Sequence, residues 1–217
     1  MKEEKKAELK KETWELAEIL FLALESLKIV EYLIKDEADD DKVYSKRMNA
    51  FFVYSRSIYW RVIVIELSKL LTEKSSEQYN IYKFISKLKP HGHYGDAKIS
   101  TVKIEKWEKA LTDNKDSIDN LILQRDKLYA HTDKNSKSIP NMVTLTKTRE
   151  LVTIIQEIIR KVYLTVFESS FMVDSPINAP VENLQWIIST LANEKKERES
   201  PLRKLAKHYG IEGEFKE

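Results

Sequence analysis

No cysteine occurs among the 217 residues. That removes disulfides, zinc ribbons, iron–sulfur clusters and thiol nucleophiles together, and it fits a reducing compartment. Glycine is nearly as scarce. Gly92, Gly95, Gly210 and Gly213 are the four present, and none can build a G-x-G-x-x-G or Walker-type loop, so a phosphate-cradling nucleotide fold is excluded. Long apolar runs are missing too. ILFLAL and VIVI fall far short of the roughly 20 residues that span a bilayer. The N-terminal MKEEKKAELKKETWELAEIL lacks a signal peptide's apolar stretch and small-residue cleavage site. The expectation is a cytoplasmic chain with no membrane partner. Charge of one sign is also lacking: the net value is +2, so affinity for nucleic acid would have to come from a local patch.

What is present is helical pattern. Residues 1–89 contain neither glycine nor proline, which favours long helices over turn-rich sheet. The spacing predicts a first helix from about Glu4 to Lys35, followed by an acidic connector, DEADDDK, over 36–42. A second helix is expected from about Tyr44 to Leu71, almost apolar all round in YWRVIVIELSKLL. A shorter one over 77–88 should end at Pro90 and the loop PHGHYGD. Helices over 100–112, 115–131, 146–171 and 180–199 follow, with 200–217 a short helix or tail. The fold class is therefore all-α: a helical bundle over 1–175, with an extended C-terminal arm over 176–217 packed on the same domain.

One stretch carries chemistry. In helix 115–131, Ile118, Leu121, Ile122, Leu128 and Tyr129 gather on one face at about 100° per residue, and Arg125 falls near the centre of that stripe. A guanidinium cannot be deprotonated, so burying it demands a partner or an aqueous cleft. Glu66, central to the apolar stripe of the second helix, is one candidate partner, and an internal Arg125–Glu66 pair fixing helix register is one reading. His131 suggests another. Six residues on, it lies about 120° around a continuous helix from Arg125. The two meet only if the helix loosens at its end or if two subunits each give their Arg and His to a common cleft. Asp133 is close enough in sequence to orient the imidazole. A histidine at a helix end also serves as a cap for the last carbonyls.

The run Arg125–Asp126–Lys127–Leu128–Tyr129–Ala130–His131 resembles the R-x(4–6)-H signature of the HEPN superfamily, in which a polar residue commonly follows the arginine. The longer RDKLYAHTDK is similar to the abortive-infection AbiU-like branch, with its R-(D/N)-K-x-x-A-H-x-D pattern. IELSKLLTE (65–73) looks like that branch's apolar second helix with an internal glutamate. The helical order matches over roughly residues 10–170. Where one subset of the superfamily ends its motif in a modifiable tyrosine, this chain has Asp133, so control by tyrosine modification is not implied.

The resemblance implies a HEPN-type bundle and a metal-independent endoribonuclease, a toxin or phage-defence effector, acting as a homodimer with two motifs facing each other. It implies no cofactor, an RNA substrate and an antitoxin as a further partner. Arg125 and His131 would be catalytic, with Asp126 bracing the arginine or polarising His131 across the interface. The chemistry suits these residues. Transesterification by RNA's own 2′-OH needs a group of near-neutral pKa, as an imidazole is, and a fixed cation on the phosphorane. The products would be a 2′,3′-cyclic phosphate and a 5′-hydroxyl. Glu66, Asp133 and Tyr129 would support the site, and Tyr129 could stack a base or pack in the core. Lys127, Lys134, Lys137, Lys147 and Arg149, near the motif in sequence, would neutralise phosphates, although lysines throughout this chain also keep its surface solvated. The competing reading is a non-catalytic helical module for dimerisation or partner binding, with Arg125 in a structural ion pair.

Other signals are weaker. His91 and His93 in PHGHYGD read as a surface turn, since a metal site needs three or four ligands. The acidic run Asp36–Asp41 reads as a solvated connector. RKLAKHYG (203–210) has the look of a partner contact or a frayed tail. Trp14, Trp60, Trp107 and Trp186 are expected to be core or interface anchors.

Overall fold

The structure is a computed structural model that describes residues 1–73, 79–130, 143–170 and 180–209. Among them are eight α-helices, one turn of 3-10 helix, one π-helix and no strand, so the all-α expectation holds. The helices are α1 (Glu3–Ile34), α2 (Asp40–Met48), α3 (Ala50–Leu71), α4 (Ile81–Leu88), α5 (Thr101–Asp113), α6 (Lys115–Gln124), α7 (Leu145–Val166) and α8 (Pro180–His208). The 3-10 turn is Gly95–Ala97, and the π-helix is Arg125–Ala130.

Several elements differ from the sequence pattern. α4 begins at Ile81 and not at 77, α7 ends at Val166 short of 171, and the helix expected over 115–131 changes at Arg125. Three further differences have local causes. The expected helix 44–71 is two helices. Asn49 has extended backbone, and its side-chain oxygen accepts the N–H of Phe51 at 2.9 Å. A short polar side chain that bonds its own backbone in this way competes with continued helix. Part of the acidic connector is itself a helix start: Asp39 caps α2 by accepting from Asp41 N–H, and Asp40 and Asp41 fill the first turn, where the helix dipole favours negative charge. At the far end, α8 continues through Pro201 instead of stopping before it. The proline gives up one backbone bond, and the turns on either side remain helical. Elsewhere the boundaries follow caps. Asn80 accepts from Lys83 N–H to start α4, and Thr144 accepts from Lys147 N–H to start α7.

The chain forms two compact units. One comprises Met1–Leu27 and Tyr59–Ile177; the other comprises Lys28–Ile58 and Asn178–Glu217. In the first, α5 packs against α4, α6 and α7. Its buried residues repeat at helical spacing: Leu16, Leu20 and Leu27 on α1; Ile63, Leu67 and Leu70 on α3; Leu151, Ile155 and Ile158 on α7. Trp107 on α5 is 1% exposed and is the tryptophan that meets the core expectation. Trp14 and Trp186 are exposed and Trp60 is half-buried, so the core half of the expectation applies to Trp107 alone among the four.

The PHGHYGD loop is pinned within this unit. Tyr94 is buried and donates its hydroxyl to Glu12 at 2.8 Å, while His93 lies 2.9 Å from Glu8. Glu12 also accepts from Lys87. Burial, then the Glu12 hydrogen bond, pushes the Tyr94 phenol well above its ordinary pKa. Gly92 sits so near the Ser86 carbonyl that a Cβ there would overlap it, which is why the tight return needs glycine.

In the second unit, α8 packs on α2. Lys195 lies 3.6 Å from the centre of the Tyr44 ring and 3.3 Å from Asp41, and Lys196 bonds Asp39 at 2.9 Å. Lys46 is 1% exposed. Its Nζ donates to the carbonyls of Tyr32 and Lys35 and to Glu37, closing the C-terminus of α1, where four carbonyls lack helical partners. Burial, with Glu37 nearby, raises the Tyr32 phenol to about 12.

Candidate functional site

The site begins where α6 changes pitch. Ile118, Leu121 and Gln124 of α6 are buried, and after Gln124 the backbone opens into the π-helix Arg125–Ala130. Such wide turns are rare and are found disproportionately at functional positions. The helix expected over 115–131 thus loosens from Arg125 onward, the first of the two geometries considered for its end.

Arg125 is the best-defined member. Its Nε donates to Asp126 Oδ1 at 2.8 Å, and Nη2 lies 2.8 Å from the same oxygen. Nη1 donates to Thr72 Oγ1 at 3.3 Å. The Arg125 side chain is 16% exposed and that of Asp126 is 42% exposed. The pair is therefore neither sealed nor fully solvated. One carboxylate oxygen occupies the Nε edge of the guanidinium, and a neutral hydroxyl holds a terminal nitrogen. Five N–H donors are available on such a group, and a guanidinium anchored on one edge can still present a fork to an oxyanion.

Glu66 is not among the described partners of Arg125. It is buried on α3, and both of its oxygens accept from Lys69, at 2.6 and 2.7 Å. Among the described residues, the ion pair at Arg125 is thus made with Asp126 and not with Glu66. Lys127 follows on the π-helix and is half-buried. Lys147, in the first turn of α7, bonds Glu150 at 2.6 Å. Arg149 lines a cavity of about 370 Å³ with Asn114, Thr146, Glu150, Thr153 and Ile154. His131, Asp133, Lys134 and Lys137 lie outside the described residues, as does the side chain of Tyr129.

Two residues that the sequence pattern did not single out belong here. Thr72 is 2% exposed and touches the guanidinium. Gln124, directly before Arg125, is fully buried, and neither amide atom has a hydrogen-bond partner among the described residues. Buried polar groups are nearly always paired, so an amide with no partner among the described residues, beside the arginine, is unusual. No spacing rule marks Thr72, because it lies 53 residues away from Arg125 in the chain. Gln124 lies about 100° around a regular helix from Arg125, outside the apolar stripe drawn from the sequence, yet it is buried with Ile118 and Leu121.

Among the described residues, no group of three or more His, Cys, Asp or Glu is placed to hold a metal ion, and no helix is long and apolar enough to cross a membrane. The sequence matches the HEPN family model described as AbiU2 over residues 6–183, a span that includes Arg125 and His131. No curated protein and no solved structure matches.

Proposed function

The chain belongs to the HEPN AbiU2 family, and from that premise we propose that it is a metal-independent endoribonuclease, a toxin or phage-defence effector with a composite site at a homodimer interface. The observation that carries the reading is Arg125 itself. It stands at the start of a π-helix, braced by Asp126, and its side chain retains 16% exposure. Desolvating a cation costs free energy that only its partners can offset, and proteins accept such costs most often at functional sites.

In the proposed reaction the 2′-oxygen of RNA attacks the adjacent phosphorus. The O2′–P bond forms and the P–O5′ bond breaks, giving a cyclic phosphate and a 5′-hydroxyl. One His131 imidazole takes the 2′ proton, and the imidazole of the second copy hands a proton to the leaving oxygen. Arg125 neutralises charge building on the phosphorane, where a preorganised donor acts most strongly. Asp126 keeps the guanidinium from wandering. Lys127, Lys134, Lys137, Lys147 and Arg149 hold the RNA backbone. An antitoxin would restrain the activity by covering this region.

The test is direct. Wild type, Arg125→Ala and His131→Ala are incubated with total RNA in EDTA, and the solution mass of each is measured. Wild type should cleave as a dimer, and each variant should lose about a hundredfold or more while keeping its fold and mass. Intact RNA at micromolar wild-type protein, with both variants folded, would leave the other reading: a non-catalytic module for dimerisation or partner binding, its Arg125–Asp126 pair purely structural.

A further inference from the structure

We propose that Thr72 is a positioning residue for Arg125, fixing the plane of its guanidinium without neutralising it. The consequence for RNA cleavage rests on the nuclease reading above; the anchoring itself rests on geometry.

Thr72 follows Leu71, the last residue of α3. Its hydroxyl has one proton, and that proton is committed: Oγ1 donates to the Ser68 carbonyl at 2.6 Å. The backbone N–H of Thr72 donates to the same carbonyl at 3.0 Å. A β-branched threonine in this setting has few rotamers, and the bond to the carbonyl four residues back selects among them. What remains on Oγ1 is lone pairs, so toward Arg125 the hydroxyl can only accept. Nη1 donates to it at 3.3 Å. With 2% exposure at Thr72, little water can substitute for either partner.

The placement adds an electrostatic reason. The final carbonyls of α3 carry the negative end of a 22-residue helix, where a cation is favoured. A guanidinium touching Thr72 therefore lies at that end. Two neighbours then divide the work. Asp126 supplies a formal charge on the Nε edge, and Thr72 supplies an uncharged contact on Nη1. A second carboxylate in place of Thr72 would bind the arginine more tightly and compete with any phosphate. A hydroxyl leaves the positive charge available to an incoming anion.

The experiment compares wild type, Thr72→Val and Thr72→Ser. Valine keeps the shape and loses the acceptor; serine keeps the acceptor and loses the methyl. Cleavage kinetics, thermal midpoint and the rotation rate of the Arg125 Nη1 group by 15N NMR are measured on each. Thr72→Val should lower kcat about tenfold with KM within about twofold, and Nη1 should rotate faster. Thr72→Ser should restore most of both. Should Thr72→Val not fold, Thr72→Ala is read in its place. Wild-type kcat in Thr72→Val overturns the proposal, as does an equal loss in Thr72→Ser, which would mean packing and not the hydroxyl matters. If no form cleaves RNA, the nuclease reading falls while the NMR still decides the anchor: equal Nη1 rotation in all three forms sinks it, and faster rotation confined to the valine form sustains it.

Discussion

Asp126 and Arg125 are adjacent in sequence, and on a regular α-helix such neighbours do not face each other. They bond at 2.8 Å here, at the point where the helix opens into wider turns. The local carboxylate thus does what Glu66 would have had to do from another helix, while Glu66 is taken up by Lys69. Asp126→Asn keeps an oxygen on the guanidinium and removes the charge, whereas Asp126→Ala removes both. On the proposed nuclease reading, activity should therefore fall in the order wild type, Asn, Ala, with the alanine variant down about tenfold or more and its KM for RNA little changed. The assay used for Arg125 reads this directly; equal activity in all three would show that the brace is idle. A second residue-scale case is Lys46. Replacing it with methionine keeps the aliphatic stem but removes the donor to the Tyr32 carbonyl of α1, to the Lys35 carbonyl just beyond it and to the Glu37 carboxylate, at a cost of about 2 kcal/mol. Denaturant unfolding monitored by circular dichroism measures it, and an unchanged midpoint would refute the capping role.

Elements are where pattern and structure can be compared. Asn49 separates α2 from α3 by a single side-chain-to-backbone bond. Asn49→Ala should cost about 1 kcal/mol, seen as a fall of about 2–4 °C in thermal midpoint, while Asn49→Asp should cost far less. Most helices were legible in the sequence because apolar residues recur on one face over many turns, as Leu151, Ile155 and Ile158 do on α7. The features that escaped each hang on one residue or on a distant contact. A window that averages over turns cannot register the Asn49 cap, and a rule about proline cannot foresee a helix that carries Pro201 across. Periodicity also treats 115–131 as uniform, since nothing in RDKLYA departs from helical spacing strongly enough to announce wider turns. Arg125 and Asp126 were legible as types of residue at a telling spacing. Thr72 was not, because its part arises only once α3 and the π-helix are folded.

At the scale of the whole molecule, the unit formed by Lys28–Ile58 and Asn178–Glu217 relies on charges where α8 meets α2. The hydrogen bond from Lys196 holds the Asp39 carboxyl below its ordinary pKa of 3.8. A carboxylate with a depressed folded pKa contributes stability at pH values above the unfolded one and loses it as pH falls through the folded one. Acid below about pH 4 should therefore loosen this contact, and salt should weaken it at neutral pH by screening. Amide exchange along 190–200 at pH 7 and pH 3, with and without Lys196→Ala, tests this. Protection that falls on acidification in wild type but is already low in the variant is the expected outcome; identical profiles would count against it.

The exposure of Trp186, 72% on α8, beside the sealing of Trp107 at 1%, turns two indoles into separate optical reporters. A chain retaining only Trp186 should fluoresce with a red-shifted maximum and be quenched readily by iodide, while one retaining only Trp107 should emit further to the blue and resist the quencher. Anything that lands on that face of α8, an antitoxin or a second copy alike, would announce itself as a blue shift in the first chain and leave the second dark to the event.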